Sequence, residues 1–341
     1  MKKVILTGIT PSGKMTIGNY ASAIKQMLEM QEDENNQLVA FSADLHAITT
    51  SKLEPSILKK NSIEGIATYL AAGIDPKKSI IFLQSDNPNH TELAYLIMCS
   101  LTEGELDRMT QYKDKSQKFK QKNGTQMIPF GLKSYPALMA ADIILYNTNL
   151  VPVGKDQKQH IELTRNIVER FNKNFKTKLV MPQDFIPKNN SAKIMSLSDP
   201  SKKMSKSDDD KFASLFLDDS NKDIEKKIKK AVTDSENKVK YDVDKKPGVS
   251  NLIQIYSVFS GLSINEIENK YSGENYGVFK LDLIKILQDK LGAIQAKKDR
   301  ILNSGDIDSI LEEGYKKSIA ISSKTLDTIK QAIGFYRRGE K

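Results

Sequence analysis

Residues 4–19 constrain the fold of this chain most, because an apolar run there ends in a Gly/Pro/Ser turn and leads into a helical pattern. The run from Val4 is rich in β-branched residues and predicts a buried strand, which Pro11 and Gly13 end. The apolar residues resume at helical spacing over residues 20–28. The first turn of such a helix has unpaired backbone N–H groups and the positive end of the helix dipole. This stretch therefore predicts a nucleotide site.

Two interpretations of the turn compete. Residues 8–14 match a phosphate-binding P-loop, but Met15 stands where a Ser or Thr hydroxyl should ligate Mg²⁺. The missing hydroxyl disfavours a P-loop NTPase. The other interpretation takes residues 11–13 (PSG) together with residues 16–19 (TIGN), leaves Lys14 as a surface lysine, and requires a second motif downstream.

Composition sets broad limits on the class of protein. A length of 341 residues favours two domains, and a net charge of +9 is compatible with a polyanionic partner such as RNA or with a general compositional bias. The single cysteine, Cys99, excludes an internal disulfide framework and a Cys-based zinc site, and it fits a reducing compartment. No apolar run approaches a signal-peptide core or a membrane span, so we expect a cytoplasmic protein without a membrane partner.

The pattern of elements predicts an α/β fold with a Rossmann-like, doubly wound parallel sheet. Further strands are predicted at 37–43, 79–85 and 150–153, with helices at 56–72, 90–112, 134–145 and 161–171 between or after them. The Lys-rich run 113–124 is typical of a surface loop. From residue 220 only helices are predicted, at 220–232, 250–259, 263–271, about 276–302 and 306–336, which indicates a second, all-helical domain.

The second motif is Lys203-Met204-Ser205-Lys206-Ser207. Two lysines three positions apart on a Ser-rich loop can contact successive phosphates, and such charges suit a developing pyrophosphate. Asp142 lies in an almost wholly apolar helix, where it needs a donor or a pocket. Asp156 could serve only as a helix N-cap, and His160 could be either a core histidine or a ligand.

Together the two motifs resemble class I aminoacyl-tRNA synthetases. The segments 138–143, 151–165, 231–235 and 276–280 narrow the resemblance to the tryptophan-specific branch, nearly from end to end. This resemblance implies activation of L-tryptophan with ATP, followed by transfer to the terminal adenosine of tRNA(Trp). It also implies a catalytic domain at 1–197, a helical anticodon-binding domain at 198–305 and a C-terminal region at 306–341 that packs back on the catalytic domain.

The resemblance assigns roles to particular residues. It implies a catalytic set comprising Thr16, Asn19, Lys203, Lys206 and Lys115. It implies an ATP site comprising Thr10, Pro11, Ser12, Gly18, Asn19, Gly154, Lys155, Asp156, Ile194, Lys203, Met204, Ser205, Lys206 and Ser207. At Thr10 the sequence departs from the glutamine of well-known bacterial members, which puts a side-chain contact there in doubt.

The same resemblance implies a tryptophan pocket. Asp142 would accept the indole N–H, so phenylalanine would be rejected without an editing domain. The other pocket residues would be Leu6, Gly8, His46, Tyr135, Met139, Ile143, Val151, Val153 and Gln157, most of which could equally be ordinary core.

The implied partners are tRNA(Trp), L-tryptophan, ATP with Mg²⁺ as the substrate complex, and a second copy of the chain in a homodimer. No resident metal and no tightly bound cofactor are expected. Two alternatives remain: a tyrosine-specific synthetase, and a synthetase-like RNA-binding regulator that has lost catalysis.

Overall fold

The fold is built on a five-stranded sheet, and the computed structural model describes residues 2–11, 13–49, 54–119, 127–185 and 193–336. The strands are β1 (Lys3–Ile9), β2 (Asn36–Ser42), β3 (Ile80–Leu83), β4 (Leu150–Pro152) and β5 (Gln183–Phe185). They lie in the order β3-β2-β1-β4-β5, and every pairing is parallel. The chain moves outward from β1 to β3 and then returns to β4 on the other side of β1. Such a reversal opens a ligand crevice at the carboxyl ends of β1 and β4.

Fourteen α-helices lie in the described part of the chain. They are α1 (Ile17–Asn19), α2 (Lys25–Glu32), α3 (Asp44–Ala47), α4 (Pro55–Ala72), α5 (Asn89–Met98), α6 (Glu103–Asp107), α7 (Thr110–Ser116), α8 (Phe130–Leu145), α9 (Lys158–Asn174), α10 (Asn221–Lys230), α11 (Pro247–Ser260), α12 (Ile264–Lys270), α13 (Tyr276–Ser304) and α14 (Asp306–Ile333). A π-helical turn, Tyr20–Ile24, joins α1 to α2, and 3₁₀ turns occur at Gln84–Asp86, Gln117–Phe119 and Lys155–Gln157. The predicted fold class is thereby confirmed.

Alternation along the central strands explains the two faces of the sheet. Ile5, Leu38 and Ile81 belong to one buried apolar cluster, whereas their neighbours Leu6, Val39 and Ile80 belong to another. Successive side chains of a strand point to opposite faces, so both faces are covered. The first cluster continues into α4, α10, α11 and α13, and the second lies against α5, α8, α9 and α14.

Some predicted elements are wrong in extent. The third strand ends at Leu83 instead of continuing to residue 85, because Gln84–Asp86 turn away as a 3₁₀ helix. The helix predicted over 90–112 is three helices, and Thr102 begins the second with a capping box to Glu105. The short strand β5 and the helix α3 were not predicted.

Helix α14 closes the edge of the sheet. It packs against β3, α5 and α8. A Cβ atom added at Gly314 would meet the carbonyl oxygen of Ile81 at 1.7 Å, so only glycine permits this approach of helix to strand. The domain boundaries at 197/198 and 305/306 stay predictions. Within the described ranges, none of the helices is both long and apolar enough for a membrane span.

Candidate active site

The turn after β1 leads into a helix start that is fixed by its own side chains. Thr16 caps α1: its Oγ1 accepts from the Asn19 backbone N–H at 3.3 Å, and Asn19 Oδ1 accepts from the Thr16 N–H at 2.9 Å. This reciprocal pair satisfies two of the N–H groups that a helix start leaves unpaired. The predicted catalytic pair Thr16 and Asn19 thus forms one rigid unit.

The segment that continues from the loop Lys203 to Ser207 pairs with the chain on either side of Thr16. The backbone of Ile17 donates to the Leu215 carbonyl at 2.9 Å, and that of Leu217 donates to the Met15 carbonyl at 2.9 Å. The loop is itself closed by Met204, whose N–H donates to the Ile194 carbonyl at 3.1 Å. The two motifs, about 190 residues apart in sequence, therefore meet.

Where they meet, both motifs line one cavity of about 290 Å³, whose walls include Thr16, Gly18, Asn19, Lys203, Met204, Ser205 and Lys206. A Cβ atom at Gly18 would lie 3.8 Å from the Ile194 Cβ and 3.9 Å from the Met204 Cβ. A side chain at Gly18 would therefore occupy space between Thr16, Ile194 and Met204. Burial lowers the pKa of Lys206, which also lines a neighbouring cavity with Thr10, Pro11 and Asn19.

The remaining predicted ATP residues are placed less uniformly. Ser207 Oγ lies 3.0 Å from Ser205 Oγ. Asp156 does not cap α9: its Oδ2 accepts from Gln111 at 2.8 Å and from Gln157 at 3.1 Å. Lys155 begins the 3₁₀ turn that also contains Asp156. Ser12 lies outside the described residues.

All ten predicted tryptophan-pocket residues line one further cavity, of about 390 Å³. They are Leu6, Gly8, His46, Tyr135, Met139, Asp142, Ile143, Val151, Val153 and Gln157. The cavity around Asp142 and the cavity that Lys206 lines with Thr10 and Pro11 have four lining residues in common, Thr7, Gly8, Thr10 and Pro152. These two cavities therefore adjoin each other. The shared wall is the carboxyl end of β1 and β4.

Asp142 is buried and accepts three hydrogen bonds. Its Oδ1 accepts from Gln84 Nε2 and from His90 Nδ1, both at 2.7 Å, and its Oδ2 lies 2.8 Å from His46 Nε2. Burial raises the pKa of this carboxyl, but the hydrogen bonds from His46 and His90 and their charges lower it, and the balance lies below the usual range. Asp142 is therefore an anion at the base of the cavity.

His160 is a buried core histidine that supports the cavity wall. Its Nε2 lies 2.7 Å from the Tyr135 hydroxyl, which donates to Gln111 Oε1 at 3.0 Å. Burial, followed by the positive charge of Lys115, lowers the pKa of His160 to about 4. Lys115 Nζ lies 5.2 Å from the centre of the Tyr135 ring and lines this cavity. Lys115 thus lines the same cavity as Asp142, whereas Lys203 lines the cavity beside Thr16.

Sequence reasoning missed several residues of this site. Gln84 and His90 hold Asp142, and Gln111 joins Tyr135 to Asp156, but none of the three belongs to a motif. They come from separate elements that only the folded sheet brings together. Across the described segments, no set of three or more His, Cys, Asp or Glu side chains is arranged to hold a metal ion.

A parallel nucleotide-binding sheet, a TIGN helix start and a KMSKS loop that closes on it together define a class I aminoacyl-tRNA synthetase. The family model for class I tRNA synthetases (W and Y) matches residues 2–292, so the chain belongs to this family. Within it, the chain falls among the tryptophan–tRNA ligases. Tryptophan–tRNA ligase from Bacillus subtilis (strain 168) is 47% identical over 340 residues, which cover 99% of each chain.

Solved structures agree with this placement. The tryptophanyl-tRNA synthetase of Mycoplasma pneumoniae superposes with a TM-score of 0.87 at 39% identity, over 100% of both chains. That of Campylobacter jejuni, solved with ADP and tryptophan, gives a TM-score of 0.82 at 34% identity, over 97% of this chain and 100% of its own.

Proposed function

We propose that this chain activates L-tryptophan with ATP to tryptophanyl-adenylate and pyrophosphate, and then transfers the amino acid to the terminal adenosine of tRNA(Trp). The observation that carries the proposal is the pair of adjoining cavities at the ends of β1 and β4. One ends at the buried Asp142 carboxylate, and the other is lined by Lys206 and Asn19. This arrangement suits an amino acid and a nucleotide bound side by side.

The amino-acid cavity favours an indole ring. Apolar residues such as Phe41, Met139 and Val151 line part of it, and Asp142 at its base can accept the indole N–H, which is only a donor. Phenylalanine would leave this buried acceptor unpaired, and a site built for a hydrogen bond discriminates strongly against ligands that lack it. Gly154, Asp156 and Gln157 would receive the ribose and the amino-acid end.

The lysine-rich loop supplies charge for the activation step. Attack of the tryptophan carboxylate on the α-phosphate breaks the bond to the β-phosphate and releases pyrophosphate. The protein contributes position and positive charge to this step, because the nucleophile is the substrate itself. Lys203 and Lys206 would hold the triphosphate, and Gly18, Ile194 and Met204 would hold the adenine.

Mg²⁺ would enter as part of the ATP complex. Mg²⁺ commonly keeps several waters and binds through substrate phosphates. The remaining predicted contacts to ATP belong to the same proposal and come from Thr10, Pro11, Ser12, Lys155, Asp156, Ser205 and Ser207. Lys115 would be a third contact to the phosphates.

ATP–pyrophosphate exchange tests the activity directly. We expect exchange with tryptophan and none above background with phenylalanine or tyrosine at the same concentration. Exchange driven only by tyrosine would contradict the proposed substrate, and the absence of exchange with every amino acid would indicate the non-catalytic regulator instead.

The role of the loop is tested with two lysines that lie four positions apart. Lys206→Ala should lower the rate of adenylate formation by at least about tenfold, because a charge that faces the phosphates is lost. Lys202→Ala is the matched control, since Lys202 is exposed and pairs with Asp199 at 2.8 Å. Equal pre-steady-state rates for Lys206→Ala and the wild type would remove Lys206 from the mechanism.

A further inference from the structure

A buried hydrogen-bond relay runs from the base of the amino-acid cavity to the C-terminal helix α14. His90 Nδ1 lies 2.7 Å from Asp142 Oδ1, and His90 Nε2 lies 2.8 Å from the Tyr146 hydroxyl. Asn87 Nδ2 donates to the Tyr146 oxygen at 3.1 Å and to Ser322 Oγ at 2.9 Å. His90, Asn87 and Ser322 are each 0% exposed. The relay is therefore sealed from water along its length.

The donors determine the hydrogen positions in the relay. Asp142 is an anion and can only accept, so His90 must carry its proton on Nδ1. His90 Nε2 lies 2.8 Å from the Tyr146 hydroxyl, whose oxygen also accepts from Asn87 Nδ2. Each group in the relay thus has one consistent role, and His90 has little freedom to turn.

The hydrogen bonds to Asp142 leave different numbers of free acceptor positions on its two oxygens. A carboxylate has about four acceptor positions, two on each oxygen. Gln84 and His90 occupy both positions on Oδ1, and His46 occupies one on Oδ2. A single acceptor position is left. It is on Oδ2, which His46 of the cavity wall contacts.

We propose that His90 is a positioning residue for tryptophan selection: with Gln84 it saturates Oδ1 of Asp142, so that only Oδ2 is offered to the indole N–H. The Tyr146–Asn87–Ser322 relay holds His90 in place and makes α14 part of the selectivity apparatus. This inference depends on the proposed function, because it assumes that the ligand is tryptophan.

The test compares tryptophan with β-(3-benzothienyl)alanine, in which sulfur replaces the indole N–H. The readout is the ratio of kcat/KM for the two amino acids in pyrophosphate exchange. His90→Leu should lower this ratio by about tenfold, mainly through a higher KM for tryptophan, because the N–H preference weakens. His90→Asn should restore most of the ratio, since its amide nitrogen can replace Nδ1–H.

Two further variants separate the relay from general packing. Tyr146→Phe removes only the hydroxyl and should lower the ratio by about threefold. Thr325→Val is the matched control, because Thr325 on α14 accepts from Asn147 at 3.0 Å and does not contact the relay. It should leave the ratio unchanged.

The outcomes are distinguishable. If kcat/KM falls equally for both amino acids in His90→Leu, His90 is merely structural and the proposal is overturned. If that variant does not fold, an unchanged ratio in Tyr146→Phe, or an equal fall in Thr325→Val, overturns it as well. If the wild type gives no exchange with tryptophan, it is the proposed function that fails.

Discussion

At the scale of single residues, Asp142 combines a role in binding with a role in folding. Its carboxylate gathers donors from three elements: His46 of α3, Gln84 after β3 and His90 of α5. Each donor is itself largely buried and finds an acceptor only there. Asp142 thus stabilises the crevice even before a ligand arrives.

Asp142→Ala should therefore affect stability as well as tryptophan binding. Removing the acceptor leaves three donors unpaired, which should lower the free energy of unfolding by about 3 kcal/mol. Urea denaturation with an unchanged m-value would measure this loss. Asp142→Asn keeps one acceptor oxygen and should lose less, and a wild-type midpoint for Asp142→Ala would contradict the structural role.

His160 gives a prediction on pH. Its pKa is lowered to about 4, below the usual 6.5, so the unfolded chain binds this proton more readily than the folded chain does. Its contribution to stability is complete above pH 6.5 and is lost as the pH falls from 6.5 to about 4, by up to about 3 kcal/mol.

His160→Gln provides the comparison, because its amide nitrogen can still reach the Tyr135 hydroxyl. The unfolding free energy of the wild type, relative to that of the variant, should fall by about 2.5 kcal/mol between pH 7 and pH 4.5. A difference that stays constant over this range would show that His160 does not titrate as the structure indicates.

The individual residues of the site were predictable to different degrees. The ten pocket residues were implied by the resemblance to a known family, and all ten line one cavity. Gln84 and His90 could not be found in this way. Their importance depends on where β3 ends and on how α5 faces α8, which are tertiary facts without a local sequence signal.

At the scale of elements, α14 and β3 approach each other very closely at Gly314, where an added Cβ atom would lie 1.7 Å from the Ile81 carbonyl oxygen. Gly314→Ala should destabilise the protein by about 2 kcal/mol, since its Cβ would collide with backbone, which cannot turn aside. Thermal unfolding measures the effect.

Gly292→Ala in α13 is the matched control. A Cβ atom there meets nothing within 4 Å, so the change should stabilise the helix by about 0.5–1 kcal/mol. Effects of the same sign and size in the two variants would contradict the close approach at Gly314.

The elements themselves show which sequence signals are reliable. Helix α12, predicted over 263–271, begins at a capping box of Ser263 and Glu266. A capping box of Thr102 and Glu105 also begins α6. There the helical spacing of apolar residues over 90–112 favoured one continuous helix, which is why this start was not predicted. The π-helical turn Tyr20–Ile24 has no signal in hydrophobic periodicity, and β5 is too short to show alternation.

At the scale of the whole molecule, we expect a homodimer with tRNA spanning both subunits. Large apolar side chains are exposed on the part of the chain that carries the sheet: Ile48 is 61% exposed, Tyr95 63% and Phe130 72%. Exposed apolar side chains of this kind are typical of a surface that another subunit covers. Light scattering should give twice the chain mass of 38.3 kDa, and a monomer at working concentration would contradict the dimer.

A pair of variants would locate the interface. Phe130→Glu should shift the protein toward monomer by placing a charge in a covered apolar surface. Val243→Glu, at a residue that is 58% exposed in the helical part of the chain, should leave the mass unchanged. If both variants remain dimers, the interface lies elsewhere.

The position of α14 also has a consequence for how the protein is made. Asn87 and its partner Ser322 are 235 positions apart, so at roughly 5–20 residues per second the ribosome makes the helix about 10–50 s after the strand it covers. Throughout that interval the outer edge of β3 is an open template for pairing with other chains. Nascent chains that stall before α14 should therefore be the ones that need chaperones.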